Sequence, residues 1–227
     1  MLIAKLVGGI VYALVFFALL LFVPAGTIDW PRAWIFLGVV AVANTITMFG
    51  VFYRNEALLN ERYKSPVQKG QPLADKIVLP LFVAAFAGAI VLIPLDVFRF
   101  HLMPAPGPLV SSLGLILFVA GWAVITLAFK ENAFAAPVVK HQEERQQMVI
   151  DKGLYRIVRH PMYSAAVPLL IGASLWLESY AAALFAIVPI ALLAVRIVFE
   201  EQFLRRELGG YDAYTRKVRY RLIPFLW

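Results

Sequence analysis

Six apolar stretches, each close to the length a helix needs to cross a bilayer, constrain this chain more than anything else in it. A hydrocarbon core about 30 Å thick takes roughly 20 apolar residues in helical form. Leu6–Val23 is the first stretch and ends at Pro24-Ala25-Gly26. It is longer than the apolar core of a cleaved leader, about 7–15 residues, so it reads as a span. Trp34–Phe52 is the second, with Trp30, Pro31 and Trp34 at its interfacial start. Ile77–Leu95 and Leu109–Phe129 are the third and fourth. Pro161–Leu177 and Tyr180–Phe199 follow with only Glu178-Ser179 between them, which predicts a tight antiparallel hairpin. Pro168 and Pro189 are positions for kinks in these two helices. Within lipid, backbone polar groups must be satisfied internally, so runs of this length become helices. The expected fold class is all-α: a polytopic transmembrane helical bundle of about six spans with a C-terminal helical hairpin.

Composition agrees. Hydrophobic residues make up 62% and charged residues 15%, against about 45–50% and 25% in soluble domains. A soluble globule could not cover so much apolar surface, and a disordered chain would carry far less of it. There is no cysteine and only three histidines, so disulfides, thiolate chemistry and a metal cage are not expected.

The net charge of +7 could suggest nucleic acid, but its distribution points to a membrane. Arg54–Lys76 holds five basic residues, Lys130–Arg159 six and Arg205–Arg221 six, while the intervening loops hold only Arg32 and Arg99. That alternation predicts cytoplasmic N- and C-termini, with the large polar segments on one face. The chain divides into a four-helix transmembrane region, residues 1–129, and a second part, residues 130–227, made of a polar connector, the hairpin and a cytoplasmic tail.

Three features of the second part carry chemistry. The connector ends in Gly153-Leu154-Tyr155-Arg156-Ile157-Val158-Arg159-His160-Pro161-Met162-Tyr163. Pro161 suits a first helical turn, which puts His160 beside backbone donors able to bind an anion. Read blandly, Arg159-His160 caps a membrane helix. Next, Arg196 and Glu200 are i,i+4 neighbours on one helix face. A charge within a span is a functional hypothesis by default, although an arginine near a helix end can also snorkel. Last, Gly209-Gly210 should stop the final helix, leaving a basic, aromatic tail suited to a membrane surface.

Taken in order, these features resemble the isoprenylcysteine carboxyl methyltransferase and phospholipid methyltransferase superfamily of integral-membrane enzymes. The resemblance rests on Gly-x-Tyr-x-x-x-Arg-His-Pro-x-Tyr (Gly153 to Tyr163) and on Arg-x-x-x-Glu-Glu (Arg196 to Glu201), followed by Leu204, Gly209, Tyr211, Tyr214 and Pro224. It covers about Asn132 to Pro224. Glu56–Arg62 also looks like bacterial members, which implies a bacterial inner membrane.

The resemblance implies S-adenosyl-L-methionine as methyl donor, in a pocket at the cytoplasmic membrane face. Carried over, Gln147, Met148, Val149, Ile150 and Tyr155 would form the adenosine side. His160, Pro161, Met162 and Tyr163 supply the turn, and Glu200 would take the methionine ammonium. Arg196 would face the acceptor, so Arg196 and Glu200 are the catalytic pair. The upstream cofactor glutamine aligns with Lys140 or with Gln142. The tail spacing Leu208-Gly209-Gly210-Tyr211 is one residue shorter than the family's. The acceptor is expected to be a lipophilic or prenylated molecule delivered through membrane lipids, without nucleic acid or metal.

A carboxylate acceptor, a phospholipid amine and a small thiol stay open. So does an NADPH-dependent sterol-type reductase, although Met162 stands where that pattern has asparagine. A non-catalytic scaffold or carrier is the reading outside enzymes, and no inverted repeat supports a transporter.

Overall fold

Proline marks where the membrane helices begin. Pro31, Pro108 and Pro161 each stand in the first turn of a helix, where a missing N–H leaves no bond unmade. The computed structural model describes all 227 residues. Its helices are α1 (Leu2–Ala25), α2 (Pro31–Gly50), α3 (Glu56–Arg62), α4 (Leu73–Leu95), α5 (Pro108–Glu131), α6 (Pro161–Trp176), α7 (Tyr180–Phe185), α8 (Ile187–Glu207) and α9 (Tyr211–Lys217), and there is no strand. Five segments are long and apolar enough to cross a membrane, the last of them α7 and α8 together. α6 has 16 residues, about 24 Å at 1.5 Å per residue, and completes a multi-pass bundle of about six spans. The outward faces are apolar, as at Val42 and Ile116, each 63% exposed; lipid, not water, suits such surfaces.

The expected hairpin turn at Glu178-Ser179 is present, but its two legs spread. α6 lies along α5, and α8 lies along α4. Glycine explains the first pairing. A Cβ at Gly172 would meet the Gly114 carbonyl oxygen and the Phe118 nitrogen, both at 2.5 Å. Small residues of this kind let membrane helices touch backbone to backbone. The second pairing is ionic at one end, through Asp75 and Arg196, and apolar at the other, through Ala89 and Ala186. Of the two prolines, Pro189 alone marks a break: the last span is interrupted at Ala186, so Pro189 falls in the first turn of α8, whereas α6 runs on as one helix through Pro168.

Phe36, Val40, Ile90, Ile93, Phe118 and Leu177 form the central apolar cluster. At one end of the bundle Asp96 accepts from Ser179 Oγ (2.7 Å) and from the Leu102 backbone N–H (2.7 Å). Arg32 pairs there with Glu178 at 3.2 Å. The connector, α3 and the tail gather at the other end, and the candidate site is built there.

Candidate active site

The connector after α5 is irregular, so its shape depends on side chains that catch its backbone. The Asn132 side-chain oxygen accepts from the Phe134 N–H at 2.9 Å, and its amide donates to the Tyr155 hydroxyl at 3.1 Å. Arg62 donates to the Ala135 carbonyl at 3.2 Å. Arg196 donates to the Pro137 carbonyl at 2.7 Å, and Asp75 accepts from the Val139 N–H at 2.9 Å. Lys140 pairs with the buried carboxylate of Glu61. Burial works against ionisation of Glu61, yet Lys140 and Lys64 hold its carboxyl below the ordinary range. The connector between α5 and α6 is thus tied to α3, α4 and α8.

The Gly153 turn is equally determined. Its φ is +55°, a region glycine enters without strain. A Cβ there would run into the Glu131 carboxylate, which accepts from the Leu154 N–H at 2.8 Å. Arg159 and His160 then enter a buried cluster around Glu201. Arg159 Nε stands 2.6 Å from Glu201, His160 Nε2 3.2 Å and Arg221 Nε 3.1 Å. Arg159 also donates to the carbonyls of Val218 (2.6 Å) and Arg219 (2.9 Å). The backbone N–H groups of Arg159 and His160 reach the carbonyls of Tyr220 and Arg221. A cluster that resembles catalytic machinery therefore folds the tail back under α6.

Two cavities meet at this end. The first is a cleft of about 100 Å³, with 15 hydrophobic residues among its 22 lining residues and polar groups set between them. It contains Gln147, Met148, Val149, Ile150, Tyr155, His160, Met162, Tyr163 and Glu200 from the sequence-based set, together with both Lys140 and Gln142. Pro161 is buried beside the cleft and does not line it. Neither upstream candidate is free. Lys140 is held by Glu61, and Gln142 donates to the Phe134 carbonyl at 2.7 Å and accepts from Arg145 at 2.6 Å. Tyr155, Tyr211 and Tyr214 complete the wall, and burial pushes all three phenols above their ordinary range. They remain protonated.

The second cavity lies inside the bundle, with a volume of about 460 Å³ and 20 hydrophobic residues among its 25 lining residues. Phenylalanines from α1, α2, α4 and α5 wall it, and Arg62, Arg196 and Tyr163 sit together at the end nearest the cleft. Arg196 lines this chamber and not the cleft. The two cavities share Ala136, Met162 and Tyr163. The Tyr163 hydroxyl donates to Glu200 at 2.7 Å on the cleft side. Its ring lies parallel to His160, with centroids 5.5 Å apart, and the Arg196 guanidinium carbon stands 5.6 Å from its centre.

The phospholipid methyltransferase family profile matches residues 109–210, from the start of α5 to the Gly209-Gly210 turn. Over this part the chain is similar to the phospholipid methyltransferase family. Among curated proteins, the chain is similar to a probable protein-S-isoprenylcysteine O-methyltransferase of Oryza sativa subsp. indica, with 32% identity over 121 residues, 52% of this chain and 62% of the relative. It is similar also to protein-S-isoprenylcysteine O-methyltransferase B of Arabidopsis thaliana, with 29% identity over 116 residues, 48% of this chain and 57% of the relative. The chain spans about three fifths of the length of the curated relatives it matches.

The superfamily signature accounts for the cleft better than for the chamber. Sequence reasoning did not assign Asn132 or Leu208 to the cleft, and it gave Leu204, Tyr211 and Tyr214 only as motif positions without a place in the site. It also passed over Asp75, which binds Arg196 at 2.8 Å and is itself bound by Gln71 at 2.7 Å. The signal was available: an acidic residue at the mouth of an apolar helix needs a partner. A span that begins at Ile77, where the apolar run starts, leaves Asp75 in a loop; the helix in fact begins at Leu73.

Proposed function

We propose that this chain is an integral-membrane S-adenosylmethionine-dependent methyltransferase of the isoprenylcysteine carboxyl O-methyltransferase type. On this reading it acts on a lipophilic or prenylated acceptor. The observation that carries the reading is the shared wall: a cleft of mixed polar and apolar lining and a more strongly apolar chamber, divided by Tyr163, Met162 and Ala136. One compartment suits a water-soluble donor and the other a lipid-soluble acceptor.

The residues present fit the donor. Glu200 offers a carboxylate for an ammonium, and Gln147 and Asn132 offer amide groups for an adenosine. The rings of Tyr155, Tyr211 and Tyr214 offer faces that favour flat bases and cations. When bound, S-adenosylmethionine supplies an electrophilic methyl group on a sulfonium. Glu200, fixed by the Tyr163 hydroxyl, would hold the amino end. Tyr163 would present its ring at the boundary of the two compartments. A carboxylate acceptor needs no proton removed, so the protein's work is alignment and exclusion of water. Arg196 and the apolar walls around it would orient the acceptor. His160, bound to Glu201, would act as a rigid side wall.

We infer further that residues 1–129 supply the membrane body and residues 130–227 most of the methyltransferase core. Both termini would face the cytoplasm, at a bacterial inner membrane, since the basic segments share one face. The test is titration of purified protein with S-adenosylmethionine, followed by a methyl-transfer screen over carboxylate, amine and thiol acceptors. Saturable donor binding with ester formation on a prenylated carboxylate is the expected result. No donor binding would sink the methyltransferase reading. Methylation of an amine or thiol alone would sink the carboxyl assignment.

A further inference from the structure

We propose that Arg62 is an anion anchor of the apolar chamber and that it takes the carboxylate of a lipophilic acid acceptor. This rests on the carboxyl methyltransferase reading and names the residue that would select its acceptor.

Arg62 closes α3, the short helix between the second and third spans, and lines the chamber. Its guanidinium carbon lies 4.5 Å from the centre of the Phe129 ring. A single hydrogen bond, from Nη1 to the Ala135 carbonyl, uses part of its donor fork. No carboxylate lies within ion-pairing distance of it. The neighbouring Glu61 turns away to Lys64 and Lys140. Arg62 keeps an accessible surface and lines the chamber without a carboxylate partner, so its charge is open to an incoming anion.

Arg196 stands in the opposite condition. Its Nε is bound to Asp75, and its Nη2 to the Pro137 carbonyl. Its charge is already met inside the protein. An anion entering the chamber gains more from the arginine without a counter-ion than from the neutralised one. An arginine fork with free donors also matches a carboxylate in two-point fashion. The rest of the chamber is mostly hydrophobic, so the anion must be the head of an apolar molecule. An amine acceptor would meet repulsion at the same place.

The experiment measures equilibrium binding to the full chain in detergent micelles. The probes are a prenylcysteine acid and its uncharged carboxamide, with S-adenosylmethionine titrated in parallel. Wild type is expected to bind the acid at least about tenfold more tightly than the amide. Arg62→Gln should remove that preference and leave donor affinity within about twofold. If Arg62→Gln keeps the preference, the inference is overturned while the methyltransferase reading stands. If wild type binds acid and amide equally, the inference also falls, and the parallel donor titration shows whether the broader reading survives. Should Arg62→Gln fail to fold, Arg62→Lys decides. Its shorter ammonium lacks the fork, so acid affinity should fall roughly tenfold with amide affinity unchanged. Unchanged acid affinity in that variant overturns the proposal.

Discussion

Arg196 Nε and Asp75 Oδ1 stand 2.8 Å apart, both side chains buried, although 121 residues separate them in the chain. The pair joins α8 to α4 beside the boundary between cleft and chamber. Removing one partner of a buried ion pair strands the other charge, at a cost of about 3–5 kcal/mol. Asp75→Ala should therefore unfold well below wild type in a detergent thermal melt. The double variant Asp75→Leu, Arg196→Met should recover most of that loss, because apolar replacement of a whole buried pair is often neutral. Recovery of stability without recovery of turnover would separate the structural role of Arg196 from its proposed role at the acceptor. A single Asp75→Ala variant that melts with wild type would refute the account of this pair.

Glu200 and Tyr163 make a separable prediction on the cleft side. Glu200→Gln removes the one charge proposed to meet the donor ammonium, so donor affinity should fall about tenfold or more by calorimetric titration. Tyr163→Phe keeps the ring and loses only the hydrogen bond of 2.7 Å to Glu200. Its effect should be several-fold, through a carboxylate less firmly held. Equal losses in the two variants would argue against Glu200 as the direct contact.

The Glu61 cluster predicts an acid-sensitive fold. Burial opposes its ionisation, but Lys140 and Lys64 bring its carboxyl below its ordinary 4.5. With the folded pKa below the unfolded one, the carboxylate stabilises the protein above about that pH. The stabilisation fades as pH falls through the lower folded value. Glu61→Gln should melt below wild type at pH 7, with the gap narrowing toward pH 4 and under. A gap independent of pH would show that ionisation of Glu61 does not matter.

Glu201 should govern the tail. It receives Arg159, His160 and Arg221 together, and Arg159 holds the carbonyls of Val218 and Arg219. Glu201→Gln weakens all three contacts, and residues 216–221 should become sensitive to trypsin while the spans stay protected. A digestion pattern identical to wild type would mean that the Ser164 bond to the Leu222 carbonyl, 2.5 Å, suffices to hold the tail.

Gly172→Leu should part α5 from α6. Its added carbons have nowhere to go beside Gly114 and Phe118, and overpacking of this kind costs about 1–3 kcal/mol or more. A lowered melting temperature is the expected readout.

The spans were legible because lipid makes hydropathy and length nearly sufficient. Their starts were less so, and α4 shows why. Gln71 and Asp75 are polar and buried at once, and only a partner distant in sequence makes that tolerable. The cleft was legible from Gln147 to Tyr163 because local turn chemistry, Gly153 and Pro161 above all, fixes it within one segment. Leu204 and Leu208 reach the same cleft only through the packing of α8 and α9. Arg62 was passed over among the basic residues of a loop, since its lack of a counter-ion exists only in three dimensions. The spread of α6 from α8 was hidden for a similar reason: Gly114 and Gly172 name each other as partners only after the fold exists.

The ties on the connector have a practical consequence. Its backbone at Ala135, Pro137 and Val139 is held by Arg62, Arg196 and Asp75, and Lys140 by Glu61. The seam between the two halves of this protein therefore runs along α3 and the first turn of α4, well before the polar segment that looks like a junction. A graft of residues 130–227 onto another membrane scaffold would carry a floor plan without its nails. To transplant residues 130–227 together with the contacts that hold them, one would have to cut upstream of Asn55.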